Sequence, residues 1–202
     1  MGSEQLTTID HQGQTYKGKA LLESNELVFR SDGLRLKIPF ASIKSVTAAN
    51  GQLQIKNTDG VTILHLGSRA EKWRDKIANP KSLIDKLGPK PNDEVAIQGK
   101  FPREFLQDLK NQEVKLTTKI SPATKWIFLA VESQSDLAKI KSTAKSMSGP
   151  AALWLIYPKG QKSLTESDVR TAGLKSNLTD IKVASFSPTH TALKFVIPTS
   201  KR

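Results

Sequence analysis

Hydrophobic and polar residues follow one pattern in the first half of the chain and another in the second. Up to Leu66, short runs alternate apolar and polar residues and are separated by turn sequences such as Asp32-Gly33 and Asn50-Gly51. Alternation with a period of two is typical of half-buried antiparallel strands. After Leu87–Asp93, a stretch rich in glycine and proline, almost continuously apolar runs alternate with helical segments. The change predicts two domains, 1–88 and 94–202, joined by a linker at 89–93.

The first half is predicted to be a curved antiparallel sheet closed by a helix. Six or seven short strands begin at Gln14 and end before Ser68. Ser68 and Glu71 have the spacing of a capping box, and Trp73 and Ile77 lie on one helical face. We expect Trp73 to anchor this helix on the sheet. An Asn-Pro pair interrupts the helix, and a second short helix is predicted to end the domain.

Strands followed by one closing helix, together with the stretch Leu36–Val46, resemble the pleckstrin-homology-like superfold and in particular its bacterial, GRAM-like relatives. The resemblance covers residues 14–88 and includes the phrase IPFASIKSV. It implies a small β-barrel with a capping helix. Members of this superfold bind phosphoinositides or peptides, and others have no known ligand, so the resemblance implies no single function.

Members that bind phosphoinositides use basic residues of the first two strands for the phosphate groups. In this chain the corresponding basic residues are Lys17, Lys19 and Arg30. The connection between the two strands contains Glu23 and Glu26, and carboxylates beside a phosphate site oppose the charge attraction on which binding depends. Specific phosphoinositide binding is therefore not expected.

The second half is predicted to be a small three-layer α/β domain. Trp126–Val131 and Ala151–Tyr157 are almost continuously apolar, as expected for strands buried on both faces of a parallel sheet. The last two strands, 181–186 and 192–197, are separated by a turn and are predicted to form an antiparallel hairpin at one edge. The predicted fold is thus a pleckstrin-homology-like antiparallel barrel with a closing helix, then an α/β domain with a mostly parallel sheet.

Several segments of the second half resemble an uncharacterised bacterial family of small α/β proteins. The resemblance rests chiefly on Ala152–Lys159 and Ala192–Val196 and covers nearly all of residues 87–198. It implies a bacterial source and the α/β fold, and the family has no established activity.

The loop after the first strand of this half lacks the signature of a nucleotide site. Gln98–Pro102 contains one glycine where a phosphate-cradling GxGxxG loop would need three. Neither GxxxxGK(S/T) nor GxSxG occurs in the chain. No cofactor is therefore predicted.

Composition excludes further chemistries. The 202 residues include no cysteine, which rules out disulfides, thiolate metal sites and cysteine nucleophiles. The three histidines, His11, His65 and His190, are far apart in sequence, and no metal site is predicted. No apolar run is long enough to span a bilayer, so we expect a cytoplasmic protein. Leu6 stands where N-myristoylation of Gly2 would require Ser or Thr, so that modification is not expected.

The formal net charge of +12 is spread along the chain. A dispersed positive surface promotes weak association with nucleic acid or anionic membranes but specifies no partner. Specific nucleic-acid binding is not expected.

Four residues at the predicted strand ends are candidates for a ligand or anion site. Tyr157 leaves the end of a buried strand and is followed by Lys159 and Lys162, an arrangement that fits an anion contact or, alternatively, a turn with solvated lysines. His190 stands between two threonines and is a candidate acid or base, but no partner follows from its spacing, and an exposed turn histidine is the alternative. No catalytic residue is predicted.

Taken together, these features favour a non-enzymatic binding or scaffold protein that acts through protein contacts or weak anion contacts. A protein partner of unknown identity is expected. Two alternatives stay open. One is a small-molecule binder or enzyme that uses the strand ends near Tyr157 and Lys159, and the other is a non-specific binder of nucleic acid or anionic membranes.

Overall fold

The computed structural model describes residues 3–201, so the question of a modified Gly2 lies outside the described residues. The chain divides into two compact units, Met1–Lys81 and Ser82–Arg202, called here the first and second units. Between residues 3 and 201, none of the helices has the length and apolar character needed to cross a membrane.

The described part of the first unit is one curled antiparallel sheet of seven strands, closed by a helix. The sheet order is β4-β3-β2-β1-β7-β6-β5, so the first strand joins the two halves of a half-barrel. The strands are β1 Ser3–His11, β2 Gln14–Leu22, β3 Glu26–Arg30, β4 Arg35–Pro39, β5 Ser45–Ala49, β6 Gln52–Asn57 and β7 Gly60–His65.

Strand β1 is absent from the sequence-based prediction, which began the sheet at Gln14. Its inward face carries polar residues, so the apolar alternation that marks a strand is missing. Buried Thr7 donates a hydrogen bond to the carbonyl of His65, and His11 shares a hydrogen bond of 2.8 Å with the hydroxyl of Thr62. These bonds compensate the burial of polar groups, which hydrophobicity alone does not predict.

Helix α1, Ala70–Ala78, covers the inner face of β5 and β6. The predicted capping box of Ser68 and Glu71 is wrong, because Gly67–Arg69 forms a 3-10 turn and the helix begins after it without a side-chain cap. Trp73 is 1% exposed and lies in the core of the unit with Ile77.

The second unit has three layers. Its described residues form six strands in the order β12-β13-β11-β10-β8-β9, of which β9, β8, β10 and β11 are parallel and β13 is antiparallel to both neighbours. The predicted mostly parallel sheet with an antiparallel edge hairpin is confirmed. The elements are α2 Leu83–Leu87, β8 Glu94–Gln98, α3 Arg103–Asn111, β9 Lys115–Thr117, β10 Thr124–Ala130, α4 Leu137–Ser146, β11 Ala152–Pro158, α5 Glu166–Lys175, β12 Thr179–Ser185 and β13 His190–Val196.

Two separate cores flank this sheet. Helices α4 and α5 cover one face, where Leu153, Leu155 and Phe195 are buried. Helices α2 and α3 cover the other face, where Phe128 and Trp154 are buried. Burial on both faces explains why the central strands read as continuously apolar.

Helix α2 belongs to the second unit, although sequence reasoning assigned it to the first domain. Ile84 and Leu87 are buried in the same core as Trp154, whose indole N–H donates to the carbonyl of Leu87 over 2.9 Å. Gly88 has a φ of 112°, and a Cβ there would lie 2.5 Å from the ring of Trp126. The glycine therefore ends a helix that is packed on the second sheet.

We expect a fragment of residues 82–202 to fold on its own, and to melt at a higher temperature than a fragment of residues 91–202. The shorter fragment lacks α2, so Trp154 loses its hydrogen-bond acceptor and part of its apolar cover. Thermal unfolding followed by circular dichroism compares the two, with residues 1–81 measured beside them. Equal melting temperatures, or cooperative unfolding of the whole chain only, would contradict this division of the chain.

Replacing Trp73 with alanine should destabilise the first unit by about 3–5 kcal/mol, because the substitution removes a large, fully buried side chain and leaves a cavity. Urea unfolding of the full chain measures the loss. Lys72→Ala, an exposed position on the same helix, is the matched control. A loss for Trp73→Ala no larger than that of the control would show that the helix is not anchored through this residue.

Candidate ligand site at the strand ends of the second unit

The carboxyl ends of the parallel strands meet at one edge of the second sheet. Strands β8, β10 and β11 end there at Gln98, Ala130 and Pro158, and antiparallel β13 begins there at His190. Loops at this edge of an open α/β sheet are the usual place for a ligand, because polar groups are free of the sheet only where the strands end.

The end of β8 is filled by packed aromatic rings. Gly99 follows the strand with a φ of 100°, and a Cβ there would lie 2.8 Å from the Cβ of Ala130. Phe101 then packs against Phe105 and Phe186, with ring centroids 5.5 Å and 6.2 Å apart. The single glycine of this loop thus serves the packing of neighbouring strands.

An open pocket of about 410 Å³ lies at the end of β11. Its walls come from the loop after β11, the first residues of α5 and the start of β13, and they include Tyr157, Lys159, Lys162, Glu166 and Thr191. The structure therefore brings three of the four predicted site residues into one concave surface, and the fourth, His190, lies outside it.

The loop that borders the pocket is fixed at both ends. At its start, Gly160 takes a φ of 68°, a backbone conformation that favours glycine. At its end, the hydroxyl of Thr165 accepts a hydrogen bond from the amide of Asp168, and the carboxylate of Asp168 accepts one of 2.8 Å from the amide of Thr165. This capping box begins α5 where the sequence predicted a helix.

A chain of hydrogen bonds begins at two lining residues of the pocket and continues behind them. The hydroxyl of Tyr157 donates to Glu166 over 2.9 Å, Glu166 pairs with Arg170 at 2.7 Å, and Arg170 also pairs with Asp180. Burial, reinforced by the neighbouring carboxylate, raises the pKa of Tyr157 above its usual value. The hydrogen bonds from Arg170 and then Tyr157 lower the pKa of Glu166. At neutral pH the phenol is therefore a neutral donor and the carboxylate is an anion that Arg170 compensates.

The two lysines of the pocket differ in their freedom. The ammonium group of Lys159 donates to the hydroxyl of Ser185 over 2.9 Å and to the carbonyl of Ser187 over 2.6 Å, so it is held against the turn between β12 and β13. Lys162 is exposed, and within residues 3–201 its side chain has no hydrogen-bond or ion-pair partner.

His190 has two partners that sequence spacing did not assign. Its Nε2 lies 3.4 Å from a carboxylate oxygen of Glu132, and its Nδ1 lies 2.9 Å from the hydroxyl of Thr189. Glu132 directly follows the buried run that ends in Val131. A carboxylate at the end of a buried strand is a feature by which the sequence could have indicated this site residue. The pair lies at the edge that holds the pocket but is not part of its lining.

Asp136 holds the loop that carries Glu132. Its carboxylate accepts hydrogen bonds of 3.0 Å from the backbone amides of Glu132 and Ser133, and Lys139 pairs with it at 2.7 Å. The Lys139 bond and these amide bonds lower the pKa of Asp136 to about 2. Asp136 is thus a positioning residue for the end of β10.

The three lipid candidates lie in the first unit. Lys17 and Lys19 are exposed on β2, and Arg30 is exposed at the end of β3. As for metal ions, the described part of the chain contains no group of three or more His, Asp or Glu side chains arranged to hold one.

Comparison with known proteins finds structural neighbours only. No model of a known protein family and no curated protein matches the chain. The N-terminal pleckstrin-homology domain of human ARAP2 aligns with 12% identity and a TM-score of 0.34, covering 50% of this chain and 90% of that domain. A putative type 11 methyltransferase from Sulfolobus solfataricus aligns with 13% identity and a TM-score of 0.40, covering 59% of this chain and 92% of the enzyme.

A SAM-dependent O-methyltransferase from Thermotoga maritima aligns over 86% of this chain and 93% of its own, with 10% identity and a TM-score of 0.35. With enzymes among these neighbours, the leading prediction of a non-enzymatic binding or scaffold protein is wrong, and we withdraw it. Alignments at these TM-scores carry no argument about the reaction or ligand of this chain. The alternative, a small-molecule binder or enzyme that uses the strand ends, therefore depends on the geometry of this site alone.

Asp136→Asn should lower the stability of the second unit at neutral pH but not in strong acid. The pKa of Asp136 in the folded state is about 2, below its usual 3.8, so its stabilising effect is complete above pH 3.8 and is lost as the pH falls towards about 2. Urea unfolding across this range measures the difference from the natural protein. Asp108→Asn, on the exposed face of α3, is the control. A difference that persists unchanged at the acid end would contradict the role of the carboxylate.

Proposed function

We propose that the second unit binds a small molecule with a carboxylate or phosphate group in the pocket after β11. The observation that supports this proposal is the charge balance of the pocket. Two lysines, Lys159 and Lys162, border it, whereas its lining has one carboxylate, Glu166, which shares Arg170 with Asp180. The pocket therefore has an uncompensated positive charge, which attracts a small anion.

The surrounding groups suit an oriented anionic ligand. Lys162 is free to reach a ligand, and Lys159 is held in place by the turn that contains Ser187. Tyr157 and Thr191 line the pocket, and their hydroxyls are neutral polar groups. A pocket of about 410 Å³ falls within the usual range for small-molecule sites.

A cofactor with a phosphate or pyrophosphate group, such as a dinucleotide, is not part of this proposal. Such a group would need a glycine-rich loop after the first strand. Here the side chain of Gln98 accepts a hydrogen bond of 2.7 Å from the hydroxyl of Thr143. The ring of Phe101 packs against the rings of Phe105 and Phe186. These residues do not fit a phosphate-cradling loop.

Catalysis is a second candidate function, favoured by the pairing of His190 with Glu132. A histidine with a carboxylate on one ring nitrogen and a hydroxyl on the other has the usual surroundings of a general acid or base. An enzyme of this design would bind its anionic substrate in the pocket and transfer a proton at His190.

We also infer relationships that the comparisons leave open. The first unit would belong with bacterial, GRAM-like pleckstrin-homology-like domains, and the second with the uncharacterised bacterial α/β family that it resembles. The strand order of the first unit and the helix that closes it support the first assignment. The absence of cysteine supports a cytoplasmic location. A protein partner stays a prediction.

The proposal is tested by titrating the isotopically labelled protein with inorganic phosphate and with a panel of small carboxylates and phosphate esters. Amide signals of Gly160 and Thr191 should shift on binding. Lys162→Gln should weaken binding about tenfold, because it removes one charge-assisted contact. Lys141→Gln, an exposed lysine on α4, is the matched control and should leave the affinity unchanged.

Shifts confined to other surfaces, or equal affinity for the natural protein and Lys162→Gln, would overturn the proposed site. The best ligand is then incubated with the protein and followed by NMR. Conversion that is lost in His190→Gln while binding is retained would assign the enzymatic function, and an unchanged ligand would leave a binding protein.

A further inference from the structure

Three basic residues lie directly opposite one another on the exposed face of the first sheet. In the strand register, Lys19 of β2 pairs with Arg30 of β3, and Arg30 pairs in turn with Arg35 of β4. All three side chains are exposed. Cross-strand partners of this kind have Cβ atoms about 5 Å apart, so the row brings three positive charges close together.

Two more lysines lie on the same face. Lys17 precedes Lys19 by two residues, and Lys37 follows Arg35 by two residues, so the period of two places both beside the row. Both are exposed. We call these five residues the cationic face: Lys17, Lys19, Arg30, Arg35 and Lys37.

Ion pairs within the chain compensate little of the charge of the cationic face, although Glu26 lies on the same face of β3, four residues from Arg30. Among residues 3–201, Lys19 is the one member with an ion pair, at 3.4 Å from Glu4, and both side chains of that pair are about half exposed. The other four have neither an ion pair nor a side-chain hydrogen bond there. Like charges placed directly opposite each other destabilise an antiparallel sheet. The row is therefore a place where a bound anion would relieve the repulsion between neighbouring cations.

The shape and composition of the face favour the phosphate backbone of a nucleic acid. Strands lie about 4.8 Å apart and side chains of one face recur about every 6.8 Å. Lys17 and Lys37 lie on opposite sides of the row, so the five charges cover an area of roughly 10 by 14 Å. A duplex presents one charge per roughly 1.7 Å of its axis, so it offers several phosphates along the length of this area. Two guanidinium groups, of Arg30 and Arg35, can each bind a phosphate through two hydrogen bonds.

A bilayer fits this face less well. Proteins that dock on membranes place apolar or interfacial aromatic side chains beside their cations. In the described chain, no exposed Trp, Tyr or Phe lies on the three strands of the cationic face. One strongly exposed apolar residue, Leu6 of the neighbouring strand β1, lies opposite Lys19.

We propose that the cationic face binds the phosphate backbone of double-stranded nucleic acid without reading its sequence. This function is separate from the small-molecule pocket and does not depend on it. Five of the 31 basic residues lie together on three adjacent strands, a local cluster within a charge that is otherwise spread along the chain.

The test measures binding of a fluorescent duplex to the full chain by anisotropy at increasing salt. Neutralising about four phosphates should give a slope near −4 in a plot of log affinity against log salt. Arg30→Gln combined with Arg35→Gln should lower that slope by about two and weaken binding at least tenfold at low salt. Lys141→Gln combined with Lys145→Gln on α4 makes the same change in net charge away from the face and should leave the slope almost unchanged.

A second measurement separates binding from folding. Because the row places like charges together, the double arginine variant should be at least as stable as the natural protein in urea. A loss of stability would assign the arginines a structural role and overturn the proposal. Equal losses of affinity in both double variants would show that net charge alone acts. Strong preference for one duplex sequence, or binding to phosphatidylserine vesicles without binding to the duplex, would likewise overturn it.

Discussion

Burial of β11 on both faces is the constraint on which the second unit depends. All seven residues from Ala152 to Pro158 are buried, so neither face of the strand can carry a polar function. Trp154, on one buried face of the strand, has a single polar group, its indole N–H. The carbonyl of Leu87 at the end of α2 accepts a hydrogen bond from it. Chemistry can then occur only where the strand ends. Tyr157 lies next to the end of the strand and lines the pocket there, and its hydroxyl donates a hydrogen bond to Glu166.

Charge compensation separates the structural polar groups of this protein from those available to a ligand. Glu166 and Asp136 each accept several hydrogen bonds and have lowered pKa values, which identifies them as anions that the fold already satisfies. Lys162 in the pocket and Arg35 on the first sheet have no such partner among the described residues. Positive charges without partners lie on both units, at different kinds of surface. One is a concave pocket suited to a small anion, and the other is an exposed sheet face suited to a polyanion.

The elements that sequence reasoning predicted correctly are those in which apolar period and burial agree. The buried strands and the edge hairpin belong to this group. Strand β1 was missed because Thr7 and His11 face inward and are satisfied by hydrogen bonds that join distant parts of the chain. Sequence reasoning assigned helix α2 to the first domain because the proline-bearing segment 89–93 follows it, while the burial of Ile84 against the second sheet has no local signature.

The candidate sites divide in the same way. Tyr157, Lys159 and Lys162 were found because a buried strand and its end are visible in sequence, whereas the partner of His190 depends on which strands are neighbours. Glu132 lies 58 residues away along the chain and reaches His190 only because the sheet places the ends of β10 and β11 beside the start of β13. The row on the first sheet depends on register in the same manner. A shift of one residue in either hairpin would turn alternate side chains to the opposite face and disperse the charges, so the cationic face is a property of strand pairing and not of composition.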